Sequence, residues 1–477
     1  MDATRTLRRL ARAAALLSAA ALLAAAASCG DVIGDRDDPN HLIVWHAFTS
    51  EEGEVFGEIV KEFEKDWESK NQGVDLRVDI EYIAYNDMFT KLRSAALARI
   101  TPDVAFIDSI KITDLAFGQA LVPINNLDGF KSRYGTIEGA RGEFVKASFD
   151  AGVVNRLGET NLYGLPAQTT TVALFWNRTM FRDKAQELRQ AGLDPSRAPR
   201  TWDELIAYGK VLNDADKGIH GYGLHGSLWF TFPILNMYGV KVIEYAESGR
   251  ATAVWETENG EAAFDMVRKL SQSGTEGGAW KSGAQGPDQG FLNGIYAMCF
   301  TGPWKVQEYT NAKLDFDIAM IPAPDKAERE LLDLAARGDA ERLGDLAWSS
   351  SNVGGQTGAI MRSAVNPEVA YEFLEYFTGD PVQRQWASSL GQIPVRLSAW
   401  ENLDMSKYPF IVKFMEQLAL SERIPQIPLY GTLEEIFNRE FNLFLAQPSM
   451  TSKEMLSRVE AGMDQQILGK VNEAVEE

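Results

Sequence analysis

The sequence predicts an α/β protein built on mostly parallel sheets and divided into more than one domain. Three observations predict it. Short apolar runs of strand length alternate with one-face apolar stripes of helical length along most of the chain, which is the pattern of parallel α/β layers. The alternation restarts after about residue 160. At 477 residues the chain also exceeds the size at which a single core stops growing.

The first run, LIVWHAF at 42–48, predicts a buried parallel strand. Val55, Phe56, Ile59, Val60, Phe63 and Trp67 follow at the spacing of an amphipathic helix. LRVDIEYI, 76–83, alternates apolar and polar residues, as a strand with one covered face does. Tyr85, Met88, Phe89, Leu92 and Ala96 form a second helical stripe, and PDVAFID, 102–108, is a buried strand ending on a carboxylate. After the restart, TVALFWN, 171–177, predicts a strand, and PRTWDEL opens a helix in which Thr201 and Glu204 have capping-box spacing. GIHGYGL is strand-like between glycines, LWFTFP at 228–233 is an aromatic cluster, and a helix is expected near 259–272 before the strand IYAMCF. Next comes FTGPW. Proline fits a first helical position because its missing N–H is unpaired there anyway, so Gly302, Pro303 and Trp304 read as a helix start. Such starts, at the carboxyl ends of strands, are where open α/β folds usually bind ligands.

FDIAMIP, 316–322, predicts one more strand, and the charged, leucine-dotted stretch 325–347 a surface helical excursion. SNVGGQTGAIM, 351–361, is a glycine-rich link into a strand, and Asn366-Pro367 caps a helix carrying Ala370, Phe373, Leu374 and Phe377. The C-terminal stretch is helical, with Leu433, Ile436, Phe437, Phe441 and Phe444 on one stripe. The chain has no short-period repeat, which speaks against a solenoid.

The formal charge of −20, with no cluster of Lys and Arg in the main body, opposes a role in holding nucleic acid. The first 28 residues differ from the rest. Arg5, Arg8, Arg9 and Arg12 precede an apolar run, Ala13 to Ala27, that is short for a bilayer and ends in small residues, the form of a secretory signal. Its removal leaves a charge of −23. Ala26-Ala27-Ser28 before Cys29 resembles a bacterial lipobox, with Ala26 where the pattern usually has Leu, and implies a lipid on Cys29 that holds the protein to a membrane surface. GDVIGDRDDPN then reads as a tether, so 1–28 is leader and 29–40 linker. Cys299, the other cysteine, lies in an apolar strand and reads as an inert buried thiol. His220 and His225 lack further ligands at sensible spacing, and no metal or cofactor is expected.

In their order, the segments VWHAF, PDVAFID, FGQALVPI, YGLPAQTTTVALFWN, PRTWDEL, AMCFTGPW, NVGGQTGAIM with NPEVAYEFLEYF, and GQIPVR resemble the extracellular solute-binding proteins of family 1. These are the maltose and glycerol-phosphate type receptors of bacterial ABC importers. The resemblance covers roughly 41–470 and implies the type II periplasmic-binding-protein fold, two lobes that close on a ligand about a hinge. The first lobe would be 41–168 plus 355–392 and the second 172–352 plus 393–477, with crossings near 168–172, 352–356 and 392–394.

The resemblance also supplies the site. Trp304 matches a tryptophan that stacks on sugar, and Trp229 a cleft aromatic of the second lobe, with Phe230 as its substitute if the register slips by one. His46, Phe48 and Ser50 match a cleft-facing loop, although a lone histidine is as often structural. Asp108 would accept hydroxyl hydrogen bonds or cap the following helix. Gln168, Thr170 and Gly355 lie at crossings, where the two polar side chains would serve ligand or hinge backbone. Arg396 matches an arginine near the ligand and suits a phosphate, an acidic sugar or plain hydroxyls. The expected partners are a small sugar-type ligand and the transmembrane permease subunits of the importer, with the protein exported and monomeric. A glycerol-phosphate receptor is the alternative within the fold. A secreted carbohydrate hydrolase using Asp108 and Glu51 is the alternative outside it, against which stands the absence of GxSxG, HExxH and phosphate-cradling motifs. A third reading makes the 325–347 excursion part of an interaction surface.

Overall fold

The structure is a computed structural model that describes residues 38–476 apart from 157, 247–249 and 428, so the leader expected at 1–28, Cys29 and the tether to residue 37 lie outside the described residues. The strands used below are, in chain order, β1 (His41–His46), β2 (Arg77–Tyr82), β3 (Val104–Asp108), β4 (Gly164–Pro166), β5 (Thr170–Thr171), β6 (Ala173–Asn177), β7 (Met298–Thr301), β8 (Phe316–Ala319), β9 (Ser351–Gly354), β10 (Gln356–Ile360) and β11 (Ser421–Arg423). The helices used below are α1 (Ser50–Lys70), α2 (Tyr85–Ala98), α3 (Ile112–Phe117), α4 (Leu228–Met237), α5 (Val306–Asn311), α6 (Pro367–Phe377), α7 (Tyr430–Ala446) and α8 (Gly469–Glu476).

The first sheet has the order β2-β1-β3-β10-β4. β1 pairs in parallel with β2 and β3, whereas β10 is antiparallel to β3 and β4, so β10 alone is reversed. Strand pleating sends alternate residues of β3 to opposite faces. Val104 and Phe106 meet Phe56, Ile59 and Phe63 of α1 and Phe373, Leu374 and Phe377 of α6. Ala105 and Ile107 meet Leu92 of α2 and Ile112 and Leu115 of α3. Burial on both faces is why this strand reads as an unbroken apolar run.

The second sheet has the order β7-β6-β8, with β6 antiparallel to both neighbours. The GIHGYGL segment lies alongside it through parallel bridges from His220 to Tyr296 and from Gly223 to Cys299. Cys299 is buried, and burial pushes its thiol well above the ordinary range, which leaves it inert. Leu433, Phe437 and Phe441 of α7 complete the core on this side together with Trp202, Phe232 and Phe264. No helix among the described residues is long and apolar enough to cross a membrane.

A third, small sheet, β11-β9-β5, lies between. The chain leaves the first sheet at β4, passes through β5 and enters the second at β6, then returns through β9, Gly355 and β10. The later passage is less simple than a crossing at 392–394. Ile393 bridges Thr169 and packs beneath the second sheet, Val395 returns to the first core, and Trp400 and Phe410 join the second again.

The 325–347 stretch is not one helix. Helical pieces Lys326–Leu331 and Ala340–Leu343 are separated by a turn, and Gly344, at φ +57°, ends the second. Arg329 pins the fold-back: it donates to the Asp345 carboxylate at 2.8 Å and lies 4.4 Å over the Trp348 ring.

Candidate functional site

Three distant segments meet where β3 ends. Asp108 is in register with Gln356 of β10, and the next residue, Ser109, donates its N–H to the Gly355 carbonyl at 3.0 Å. Gly355 has φ +129°, a conformation that side chains resist, and a Cβ there would stand 2.1 Å from the Gln168 carbonyl oxygen. Only glycine lets the two passages lie this close. Gly354 meets the second lobe in the same way, since a Cβ on it would stand 2.1 Å from Cη2 of Trp229. The indole is thus laid against the hinge backbone.

Trp229 is held there by a proline. The LWFTFP cluster forms the first turns of α4, with Pro233 inside the helix. Proline has no N–H to offer the carbonyl four residues earlier, and that carbonyl belongs to Trp229. Asn352 of β9 takes the vacancy, its Nδ2 donating to the Trp229 oxygen at 3.2 Å. Phe232 is buried in the second core, and Phe230 stacks on His225 with centroids 3.5 Å apart.

Trp304 stands at the matching strand end. β7 stops at Thr301, Gly302 follows, and Pro303 opens the short 3-10 turn Pro303–Lys305 that leads into α5. The ring rests on Gly302, where a Cβ would meet it at 2.0 Å. Val306, starting α5, packs 3.1 Å from the point where Gly391 would carry a Cβ, so this helix start leans on the later passage. Both tryptophans are half-buried at the margin of the second core. Thr170 Oγ1, Thr301 Oγ1, Gln356 Oε1 and Tyr430 Oη are buried with no protein partner among the described residues. Buried polar atoms of native proteins rarely lack one.

The first-lobe side is charged. Asp108 accepts from the exposed Tyr85 hydroxyl at 2.6 Å. Burial pushes its carboxyl up to about 6, against the Tyr85 hydrogen bond and the Lys111 charge and with help from Glu434. Lys111 lies 3.2 Å from the Glu434 carboxylate and 4.8 Å from the centroid of the Tyr430 ring. Lys111 follows β3, whereas Tyr430 and Glu434 begin α7 in the other core, so this pair joins the lobes. The sequence reading missed Tyr85, Lys111, Tyr430 and Glu434. Lys111 sits three residues past Asp108 at the same strand end, and the prolines of IPQIP just before Tyr430 mark another chain turn; those were the available signals.

Other predicted residues have different places. Arg396 is 4% exposed and fully engaged within the first lobe. Its guanidinium donates to Glu143, Glu375, Tyr134 and the Thr378 carbonyl and covers the Phe144 ring at 4.1 Å, so the N–H groups expected to hold a ligand anion are occupied. Phe48 is 1% exposed, surrounded by Phe56, Phe106 and Trp386, and is core rather than cleft lining. His46 packs on Phe48 and Phe56, and its Nδ1 accepts from the Phe48 N–H at 3.3 Å. Burial lowers it to about 4, so it is neutral. Ser50 is exposed on the first turn of α1, just after the Thr49 N-cap, whose capping-box partner is Glu52. Gln168 serves the hinge: its Nε2 and that of Gln392 both donate to Glu52 Oε1 at 2.8 Å. Burial raises the Glu52 carboxyl, which Thr49 and the Gln168 amide oppose. Among the described residues no cluster of His, Cys, Asp and Glu is placed to hold a metal.

The profile of the bacterial extracellular solute-binding proteins matches residues 49–384. The galactooligosaccharide-binding protein of Bacillus subtilis (strain 168) is 21% identical over 395 residues, 82% of this chain and 80% of that protein. The maltotriose-binding protein of Pyrococcus abyssi (strain GE5 / Orsay) is 20% identical over 400 residues, 82% and 74% of the two chains. Among solved structures, the GacH receptor of Streptomyces glaucescens GLA.O, determined unliganded and with acarbose, superposes with a TM-score of 0.70 at 18% identity, covering 90% of this chain and 98% of its own. The maltose/maltodextrin-binding domain of Bdellovibrio bacteriovorus bound to maltotriose gives 0.69 at 19% identity, covering 89% and 99%. This likeness shows the two-lobe α/β fold.

Proposed function

The chain belongs to the bacterial extracellular solute-binding proteins, and from that premise we propose that it captures a sugar or oligosaccharide between its lobes and delivers it to the permease of an ABC importer. The observation that carries the reading is the pair of half-buried indoles, Trp229 and Trp304, the first lying on Gly354 at an interlobe passage and the second on Gly302 at the end of a second-lobe strand. Sugar C–H faces lie well on such rings, and sugar hydroxyls suit the unpartnered Thr170, Thr301, Gln356 and Tyr430 atoms and the Asp108 carboxylate. Thr170, Asp108, Gly355, Trp229 and Trp304 remain the ligand-facing set, and Tyr85, Lys111, Tyr430 and Glu434 join it.

A neutral ligand is favoured over a phosphorylated one because Arg396 is engaged within its lobe and Lys111 already faces Glu434. The family and its relatives are binding proteins, and nothing pairs Asp108 with Glu51 for hydrolysis. The lobes divide at the three passages, close to 41–168 plus 355–392 and 172–352 plus 393–477, with Val395 and Arg396 packing back on the first. The protein is exported, and the leader followed by Cys29 supports a lipid anchor.

Isothermal titration with maltooligosaccharides, galactooligosaccharides and sugar phosphates tests the reading. A neutral oligosaccharide is expected to bind near micromolar, about −8 kcal/mol. Binding confined to sugar phosphates, amino acids or metals overturns it.

A further inference from the structure

The first described residues are pinned beside a second recess, away from the tryptophans. The Asp38 carbonyl accepts from the His41 N–H, Asn366 donates to the Pro39 carbonyl at 3.2 Å, and the Asp103 carboxylate takes the N–H groups of Ile43 and Val365. Thr101 and Ser363, two residues from Asp103 and Val365, are joined through their hydroxyls and line a groove of about 1520 Å³. From there the groove follows α2 and α3 to Tyr245 and Lys470 of the other lobe.

The charge of this groove is opposite to that of the chain. The formal net charge is −20, yet the lining carries Arg93, Arg99, Arg362 and Lys470 against Asp114. Asp114 is engaged by the Leu429 N–H. The four cations are exposed and have no ion pair among the described residues. Leu97, 89% exposed, and Phe117, 40% exposed, add apolar surface to the same lining.

The segment leading into this place has the complementary composition. Cys29 to Asp38, CGDVIGDRDD, carries Asp31, Asp35, Asp37 and Asp38 against Arg36, with Val32 and Ile33 as an apolar pair. Nine extended residues reach about 30 Å. We propose that the groove is the docking site of the chain's own acidic linker, residues 30–37, with the aspartates on the arginines and Val32-Ile33 against Leu97 and Phe117. Covalent attachment gives the linker an effective concentration of roughly millimolar, so weak contacts suffice. Docking fixes the orientation of the ligand cleft relative to the Cys29 end, and release turns the linker into a loose leash.

Hydrogen exchange of residues 30–40 in the purified full chain tests this, alongside a free peptide of the same sequence. At low salt the linker amides are expected to exchange about tenfold more slowly than the peptide, and at about 0.5 M salt to approach it. The Arg93→Glu, Arg99→Glu, Arg362→Glu triple variant should lose the protection. Adding Asp31→Arg, Asp35→Arg and Asp37→Arg should restore it. Sugar affinity should stay within about twofold throughout, which separates this test from that of the proposed function. Peptide-like exchange in the unmodified chain overturns the proposal, as does protection that survives the triple variant. Vesicles containing phosphatidylglycerol that retain the chain through the three arginines, with the linker exchanging freely, assign the groove to lipid headgroups instead and also overturn it.

Discussion

The two sides of the interlobe gap are built from different chemistry. The second lobe presents flat apolar faces, Trp229 lying on Gly354 of the hinge backbone and Trp304 on Gly302 at its own strand end. The first lobe presents titratable groups, Asp108 with Tyr85 and Lys111 with Glu434 across the gap. Stacking surface is rigid and non-directional, whereas hydrogen bonds to a carboxylate are directional and depend on protonation. The second lobe is therefore expected to set how strongly a sugar binds, and the first to set which hydroxyl pattern it accepts and at what pH.

The comparison is sharpened first by a residue that belongs to neither surface. Replacing Arg396 by Met removes the buried one of the two cations that Glu143 and Glu375 share, and leaves them Arg133. Breaking a fully buried pair costs about 3–5 kcal/mol, and with both carboxylates partly exposed and Arg133 still beside them the loss here should lie at the low end, about 3 kcal/mol. Denaturant unfolding should register that loss, while calorimetry on the folded variant finds sugar affinity unchanged. A large affinity loss with little destabilisation would return Arg396 to the ligand.

Trp304→Ala comes next. Truncating a central stacking aromatic removes about 2 kcal/mol or more of binding, so the dissociation constant should rise roughly thirtyfold with kcal-scale stability retained, since the ring is only half-buried. Trp229→Ala should behave similarly, with an added change in ligand-induced closure because the ring touches Gly354. If both variants bind as the parent does, the division between the two sides fails.

Much of this was legible in the residues, for reasons that also explain what was not. Apolar periodicity reports burial, so β3, α1 and the stripe of α7 were readable, as was the helix start at Pro303, which depends on one local backbone property. The direction of a side chain across a fold is not local. Arg396 follows GQIP as a ligand arginine would, yet Glu143, far upstream, and Glu375 capture it. Phe48 ends a strand as a cleft residue would, yet Phe56 of α1, Phe106 of β3 and Trp386 close over it. Lys111 and Glu434 are 323 positions apart, and their pairing exists only once two cores have formed. The excursion at 325–347 had helical composition, but Gly344 and the Arg329–Asp345 contact fold it back.

Acid separates affinity from stability. Asp108 is held up to about 6, so a sugar hydroxyl finds a carboxylate at pH 7.5 and an acid at pH 5. Charge-assisted hydrogen bonds exceed neutral ones by about 1 kcal/mol, so affinity should fall about fivefold across that range, and Asp108→Asn should flatten the profile. Stability follows another sign. With its folded value raised from 3.8, Asp108 disfavours folding when ionised, above about 6, and that penalty lifts as pH falls through 6 toward 3.8. His46, lowered from 6.5 to about 4, acts oppositely: the unfolded chain takes up a proton that the fold refuses, and stability is lost as pH falls from 6.5 to 4. Each is worth about 3 kcal/mol, so they nearly cancel. Asp108→Asn should expose the His46 loss as a steeper fall in unfolding free energy between pH 6.5 and 4. An unchanged slope would mean that Asp108 titrates in the fold as it does in water.

The smallest effect should come from the contact that joins the two sides. Lys111 is largely covered, and Glu434 about one-third exposed, so their pair is worth more than a surface pair yet little more than about 1 kcal/mol. That energy acts only when the lobes are together, because the partners stand on different cores. Lys111→Met should therefore leave thermal unfolding almost unmoved and shift the ligand-free population toward the open form by up to about fivefold. Small-angle scattering reads this as a larger radius of gyration without sugar and the parent value with it. Raising salt should produce the same opening in the parent chain and none in the variant. Equal compactness of parent and variant at every salt concentration would show that the pair is incidental to closure, and that hinge packing at Gly354 and Gly355 alone sets the resting angle.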